Sequence, residues 1–128
     1  MSDFRLHDYL DHIHQAASDA CSFIEGFGRS EFSADKRTQN AVVMSLIVIG
    51  EATAKVMDRC PDFAGRHTEI PWRVMRGMRN RIAHGYFDID FDVVWDTVNT
   101  VLPALLAKVT AIRAGEDFKE GNSGESTP

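Results

Sequence analysis

Ala41-Val42-Val43-Met44-Ser45-Leu46-Ile47-Val48-Ile49 is the longest apolar stretch of the chain, and only Ser45 breaks it. It lies in the middle of a segment, from about Ala34 to Arg59, whose apolar residues turn through successive faces of a helix. A helix that is apolar all round usually lies inside a bundle or between subunits. The stretch therefore predicts a central helix against which the rest of the chain packs.

Flanking residues indicate where this central helix begins and ends. The Ser33 hydroxyl is placed to cap its first turn. Cys60-Pro61-Asp62 should end it, because proline restricts the residue before it and cannot extend the hydrogen-bond ladder. A loop through Gly65 to Glu69 is expected to follow.

A first helix precedes the central one, with Asp3 as its cap and Gly26 and Gly28 as its stop. Its apolar residues recur at steps of three or four, which is the pattern of one buried stripe. These residues are Leu6, Leu10, Ile13, Ala17, Ala20, Ile24 and Phe27.

Two further helices follow. A third should run from about Pro71 to His84, with Gly85 as its stop. Proline suits the first turn of a helix, because the backbone N–H that it lacks has no partner there. Asp90 or Asp92 can cap a fourth, and Pro103 inside it predicts a kink near Asn99. Its apolar stripe comprises Val94, Val98, Leu102, Leu105, Leu106, Val109 and Ile112.

Four main helices joined by short connections predict an all-α fold, an up-and-down four-helix bundle with room for an extra short helix. We expect residues 1–114 to form this helical domain. Residues 115–128 are polar and rich in glycine and serine, and they predict a disordered tail.

Length and composition restrict the function. The 128 residues have the length of one domain, and the apolar stretches are shorter than the roughly 18 residues that suggest a membrane span. Met1-Ser2-Asp3-Phe4-Arg5 lacks the features of a secretory signal, so we expect a cytoplasmic protein in which Cys21 and Cys60 are reduced. A net charge of −5 argues against a surface that coats nucleic acid without specificity.

Basic charge is instead concentrated at the third helix. Between Arg66 and His84 there are five arginines and one acid, Glu69. Guanidinium groups offer planar sets of donors that suit phosphate oxygens, and the imidazole of His84 can move protons near neutral pH. The segment predicts chemistry on a phosphodiester. The alternative is a solvent-exposed basic face that ends in a histidine, whose positive charge would interact favourably with the C-terminal end of the helix dipole.

The spacing of Arg79 and His84 bears on assembly. Five positions apart, they point about 140° away from each other on an ideal helix. They can converge if the last turn loosens before Gly85, or if a two-fold axis brings two copies together. The second route predicts a homodimer with a shared cleft.

In such a cleft His84 would act as a general acid or base, and Arg79 would stabilise the charge that grows on phosphate, without a metal or other cofactor. Asn80 would orient the histidine or hydrogen-bond the phosphate. The RNA backbone on either side would be bound by Arg73, Arg76 and Arg81.

The order Arg79, Asn80, three residues, His84, one residue, Tyr86 resembles the signature of the HEPN ribonuclease superfamily, specifically its HepT-like toxin branch. The flanking sequence is similar too, over roughly Leu6 to Leu106. The matching segments are Ile49-Gly50-Glu51-Ala52, Pro71-Trp72-Arg73, Met78-Arg79-Asn80-Arg81 and Val94-Trp95.

This resemblance implies an all-helical homodimer that is a metal-independent endoribonuclease, the toxin of a toxin–antitoxin pair. Arg79 and His84 match the catalytic positions of the family, and Asn80 matches the polar position beside the arginine. Tyr86 matches the tyrosine that an MntA-type nucleotidyltransferase antitoxin modifies with AMP. The alternative is a non-catalytic subunit that binds a nucleotide or a nucleotidyltransferase partner.

Other polar and aromatic residues have simpler interpretations. Glu51 lies in an otherwise apolar helix, so it should join a polar network or reach Arg79 or Arg76. Trp72 and Trp95 are expected to anchor the core or a dimer rather than stack on bases. The histidines of the first helix do not share a face, which favours a surface group over a zinc site; they are His7, His12 and His14.

Overall fold

A computed structural model of the chain describes the backbone of residues 2–125 and the side chains of residues 5–115. Within this part the chain is helical and contains no strand, which confirms the all-α prediction. The elements are α1 (Ser2–Phe23), α2 (Arg29–Ala34), α3 (Lys36–Arg59), α4 (Pro61–Arg66), α5 (Trp72–His84), a 3-10 turn (Tyr86–Asp88), α6 (Phe91–Asp96), a π-helical segment (Thr97–Val101) and α7 (Leu102–Glu125).

Helix α3 is the centre of the bundle, as its apolar stretch predicts. It packs along α1 on one side and α5 on the other, and it also contacts the short helices α2 and α4. Val42, Leu46, Ile49 and Val56 are fully buried. Burial is not complete around the helix, however, because Met44 is 59% exposed. One side of α3 therefore remains open beside α1.

Among the described residues, α3 is the one helix long and apolar enough to cross a bilayer by length and composition. More than half of its most apolar window is buried inside the bundle. Its apolar side chains contact α1 and α5, which is how the core helix of a folded bundle also looks.

The start of α3 differs from the prediction. Ser33 does not cap it but lies inside α2, and the cap is Asp35, whose carboxylate accepts from the Thr38 N–H at 3.3 Å and the Thr38 hydroxyl at 3.1 Å. Helix α2 exists because Phe32 is fully buried and because the Gln39 amide donates to the Phe32 carbonyl at 2.8 Å.

The end of α3 at Arg59 agrees with the prediction, but the segment after it is more ordered than a loop. Pro61 opens helix α4 at a position where its missing N–H is not needed. The indole N–H of the buried Trp72 then donates to the carbonyls of Ala64 and His67, at 3.2 and 3.0 Å. These bonds fasten the connection to the first turn of α5.

The fourth predicted helix consists of α6, the π-helical segment and α7. Asp90 caps it, as predicted, by accepting from the Asp92 and Val93 N–H groups at 2.9 and 3.3 Å. At the place where a kink was predicted, near Asn99, the structure has the π-helical segment, in which the Leu102 N–H donates to the Thr97 carbonyl. Pro103 explains why the π-helical segment lies here, because proline has no backbone N–H to donate to the Asn99 carbonyl four residues earlier.

The predicted stripe is confirmed: its members from Leu6 to Ala20 in α1, and Ile24 just after this helix, are buried, and Phe27 is partly buried against the core. The side chain of Asp3, the predicted cap, lies outside the described residues. The backbone of the predicted tail is described as far as Glu125, within α7, whereas its side chains are described only at Gly115. The division at residue 114 stays a prediction.

The cap of α3 can be tested with two alanine variants. Asp35→Ala should lower the free energy of unfolding by about 1 kcal/mol, because it removes the acceptor of the first turn. Ser33→Ala, at an exposed position two residues earlier, should change it by about 0.5 kcal/mol or less. Urea denaturation measures both, and equal losses in the two variants would contradict the assignment.

Candidate active site

Helix α5 carries the arginine cluster, and its placement depends on one close approach to α3. A Cβ built on Gly50 would overlap the Cβ of Arg79 and would lie 2.8 Å from its Cγ and 3.0 Å from the Met75 carbonyl oxygen. The missing side chain at Gly50 therefore allows the stem of Arg79 to lie directly on the backbone of α3. Met75, whose carbonyl oxygen also faces Gly50, is fully buried in α5.

The guanidinium of Arg79 is paired at this crossing. Its Nη1 donates to the Glu51 Oε2 at 2.8 Å, which confirms that Glu51 reaches an arginine of α5. The Arg79 side chain is only 22% exposed, whereas that of Glu51 is 54% exposed. The Nε of Arg79 is buried and has no hydrogen-bond partner in the described part of the chain. One end of the guanidinium is thus fixed, and its inner N–H is unsatisfied.

His84 is the last residue of α5 and its side chain is exposed. The helix stays α-helical up to it, and the Gly85 N–H closes the final turn on the Arg81 carbonyl at 3.0 Å. The loosened last turn, one of the two routes by which Arg79 and His84 were expected to converge, is therefore absent. The side chain of Arg79 packs against α3, whereas His84 is exposed to solvent at the end of α5.

The remaining basic and polar residues of α5 are spread around it. Asn80 and Arg73 are exposed, and Arg76 is half-buried. Arg81 is exposed and lines a cavity of about 110 Å³ between the end of α5 and the start of α6, together with Gly85 and other residues. The cluster thus forms a broad basic surface around α5.

Tyr86 follows in the 3-10 turn beyond the helix. It is 53% exposed, and its hydroxyl donates to the Asn40 Oδ1 at 3.4 Å. Phe87 beside it is 97% exposed and meets the Tyr86 ring edge to face, at 6.0 Å between centroids. Sequence reasoning did not identify Asn40 or Phe87. No local pattern connects Asn40 with Tyr86, but the adjacency of two aromatic residues next to His84 was a usable signal.

The two tryptophans pack in the core, as predicted. Trp72 is buried, and Trp95 packs against Phe32 with ring centroids 5.3 Å apart, so both belong to the core. Over the residues that the structure describes, no group of three or more histidine, cysteine, aspartate or glutamate side chains is arranged to hold a metal ion.

Comparison with known proteins now identifies the family. A family model described as ribonuclease HepT-like matches residues 13–112, which include both α3 and α5. The chain belongs to this HepT-like family. The resemblance inferred from the Arg79 to Tyr86 motif is thereby confirmed.

Several relatives support the same assignment. The HepT-like chain is 40% identical over 110 residues to a protein of Thermococcus cleftensis named probable ribonuclease HepT, covering 83% of this chain and 94% of the relative. It is 31% identical over 118 residues to a Methanocaldococcus jannaschii protein with a provisional RNase name, covering 92% of each. No solved structure matches the chain.

The close approach at Gly50 in this HepT-like bundle can be tested by stability. Glycine to alanine in a helix ordinarily stabilises, but Gly50→Ala should lower the free energy of unfolding by about 1–3 kcal/mol, because the new methyl overlaps Arg79. Gly77→Ala is the matched control in α5: its Cβ would meet nothing within 4 Å, so a gain of up to about 1 kcal/mol is expected. Urea denaturation at equal protein concentration compares them, and a stabilised Gly50→Ala protein would contradict the contact.

Proposed function

We propose that this protein is a cytoplasmic, metal-independent endoribonuclease that cleaves RNA in a cleft between two copies of the chain. The observation that carries the proposal is the arrangement of α5, which holds Arg79 against Glu51 of α3 and ends in an exposed His84. Membership of the HepT-like family and the ribonuclease names of its relatives support the same reaction.

The chemistry uses groups that this site contains. An imidazole of His84 takes the proton of a ribose 2′-hydroxyl, and the 2′-oxygen then attacks the adjacent phosphorus. Arg79 stabilises the negative charge that develops on the phosphate oxygens. The bond from phosphorus to the 5′-oxygen breaks, and that oxygen receives a proton, which leaves a 2′,3′-cyclic phosphate and a 5′-hydroxyl. Asn80 orients the histidine or the phosphate.

Two features support a dimer. First, the regular end of α5 keeps Arg79 and His84 on different sides of one helix, so a second copy is the remaining route to a shared cleft. Second, the open surface between α1 and α3 has apolar residues: Phe23 of α1 and Met44 of α3 are exposed, and Ile47 and Val48 line a groove with Glu51. Two copies that meet there would bury this surface next to the ion pair of Arg79 and Glu51. Each copy would supply one His84, one as the base and one as the acid.

Substrate binding outside the reacting phosphate is assigned to the other arginines. Arg73 and Arg81 are exposed on α5, and Arg76 is half-buried. Their charges would hold backbone phosphates on either side of the cleaved bond without reading the bases.

Regulation is assigned to Tyr86 and to a partner protein. We infer that the chain is the toxin of a toxin–antitoxin pair and that an MntA-type nucleotidyltransferase antitoxin silences it. The exposed Tyr86 hydroxyl would attack the α-phosphorus of ATP bound to the antitoxin, lose its proton and release pyrophosphate. The attached AMP would place phosphate beside the basic surface, where it competes with RNA.

A non-catalytic role is the alternative. In it, the basic surface binds a nucleotide or a nucleotidyltransferase partner and no RNA is cut. The net charge of −5 favours this version slightly, since many RNA-binding domains are basic. Its signature would be a stable complex with the partner, lost when the arginines of α5 are neutralised, together with the absence of RNA cleavage by the wild-type protein.

The catalytic assignment predicts that RNA is cleaved in the presence of EDTA and that the products carry 2′,3′-cyclic phosphate ends. Arg79→Ala should lower the rate by about 10²–10³-fold and His84→Ala by about 10²–10⁴-fold, because each removes transition-state stabilisation or proton transfer. Arg113→Ala is the matched control, since Arg113 pairs with Asp11 at another surface. Undiminished cleavage by either of the first two variants would exclude that residue from catalysis.

The regulatory assignment predicts that co-expression with the antitoxin raises the mass of the protein by one or more AMP units. Tyr86→Phe should abolish the increase, which intact-protein mass spectrometry measures. Tyr9→Phe is the control, because Tyr9 is the other tyrosine of the chain and is only 8% exposed. A Tyr86→Phe protein modified to the same extent as wild type would remove Tyr86 from this role.

A further inference from the structure

We propose that Glu51 is a positioning residue of the ribonuclease site: its carboxylate holds Nη1 of Arg79 so that the rest of the guanidinium is presented to the reacting phosphate. The inference rests on the proposed function and extends it to a residue of the neighbouring helix. A guanidinium is planar, and fixing one terminal nitrogen also fixes the directions of its other donors.

The geometry at the crossing of α3 and α5 restricts Arg79 at both ends. Its Cβ and Cγ lie against Gly50, and its Nη1 donates to Glu51 at 2.8 Å. Gly50 and Glu51 are adjacent in the sequence, so one turn of α3 holds both the stem and the head of the arginine. Glu51 is the one polar partner that the structure gives this guanidinium among the described side chains. Without it, the terminal torsions of Arg79 would be free to rotate.

A contribution to the stability of the fold explains the Glu51 carboxylate less well than a role in positioning Arg79. In a single copy of the chain Glu51 is 54% exposed, and an ion pair so open to water contributes little to the folding of that copy. The contact of α3 with α5 is supplied instead by buried apolar residues, among them Ile49 and Met75. Asp11 and Arg113 form a comparable pair between α1 and α7, with the acid 57% and the base 31% exposed. That second pair provides a matched comparison away from α5.

A carboxylate beside the substrate has an opposing effect on binding. Its negative charge repels the phosphates of RNA and weakens the pull of Arg79 on them. If Glu51 serves catalysis, its removal should therefore tighten RNA binding while it slows the chemical step. A residue that only stabilised the fold would change both quantities together, or neither.

Three variants separate charge from position. Glu51→Gln removes the charge, Glu51→Asp keeps it but shortens the reach, and Glu51→Ala removes both. On a fluorescein-labelled single-stranded RNA of mixed sequence, all three should lose roughly tenfold to a hundredfold in kcat, because a small misplacement of a reacting group has effects of this size. KM should fall in Glu51→Gln and Glu51→Ala and stay near wild type in Glu51→Asp. Asp11→Asn should retain wild-type kcat and KM.

Thermal unfolding should place the three variants close to Asp11→Asn, which shows that the fold is intact. Unchanged kcat in Glu51→Gln and Glu51→Ala, with an active wild type, would overturn the inference. So would a loss of kcat that is matched by unfolding of the variants at the assay temperature.

A second measurement does not depend on activity. The Arg79 Nε–H is buried at the crossing, so it should give a slowly exchanging signal in ¹H–¹⁵N spectra of the wild-type protein. Glu51→Ala should speed its exchange, and Asp11→Asn should not. If the wild-type protein cleaves no RNA, the proposed function fails, while this signal still decides whether Glu51 holds Arg79. An Arg79 signal that is identical in wild type and Glu51→Ala would overturn that contact.

Discussion

The rest of the structure depends on how closely α3 and α5 approach each other at Gly50. A helix surface normally keeps its neighbour about 8–10 Å away, a distance that the side chains at the contact determine. At Gly50 there is no side chain, and the stem of Arg79 occupies the space that one would fill. Contacts with α1, α2 and α4 hold α3 in place at this approach. One absent Cβ thus places the arginine of the family motif beside the single acid in the middle of the central helix.

The long elements and the family were predictable from sequence. The stripe of α1, the apolar centre of α3, the Asp90 cap and the irregularity before Pro103 each follow from a local pattern of residues. The segment from Arg79 to Tyr86 also resembles the signature of the family, to which the chain belongs. Local patterns suffice where many residues in one element carry the same signal.

The errors arose where a distant contact decides between local alternatives. Ser33 and Asp35 are both good caps, and burial of Phe32 under Trp95, far away in the sequence, selects Asp35. Helices α2 and α4 have six residues each, too few for a periodic signal. Two contacts likewise depend on how helices meet in three dimensions. Tyr86 binds Asn40, and Glu51 binds Arg79 rather than Arg76.

The acidic run that follows α5 is largely engaged in contacts of its own. Asp90 binds the first N–H groups of α6, and Arg29 donates to Asp96 and Asp92, hydrogen bonds that raise the pKa of its guanidinium. Arg29, rather than an arginine of α5, therefore offsets part of the negative charge of this acidic run. For a polyanion that diffuses toward a molecule of net charge −5, the side that carries the α5 arginines is less repulsive than the rest of the surface. Encounters in which the α5 side faces the polyanion are therefore favoured before any contact forms, and added salt weakens this preference.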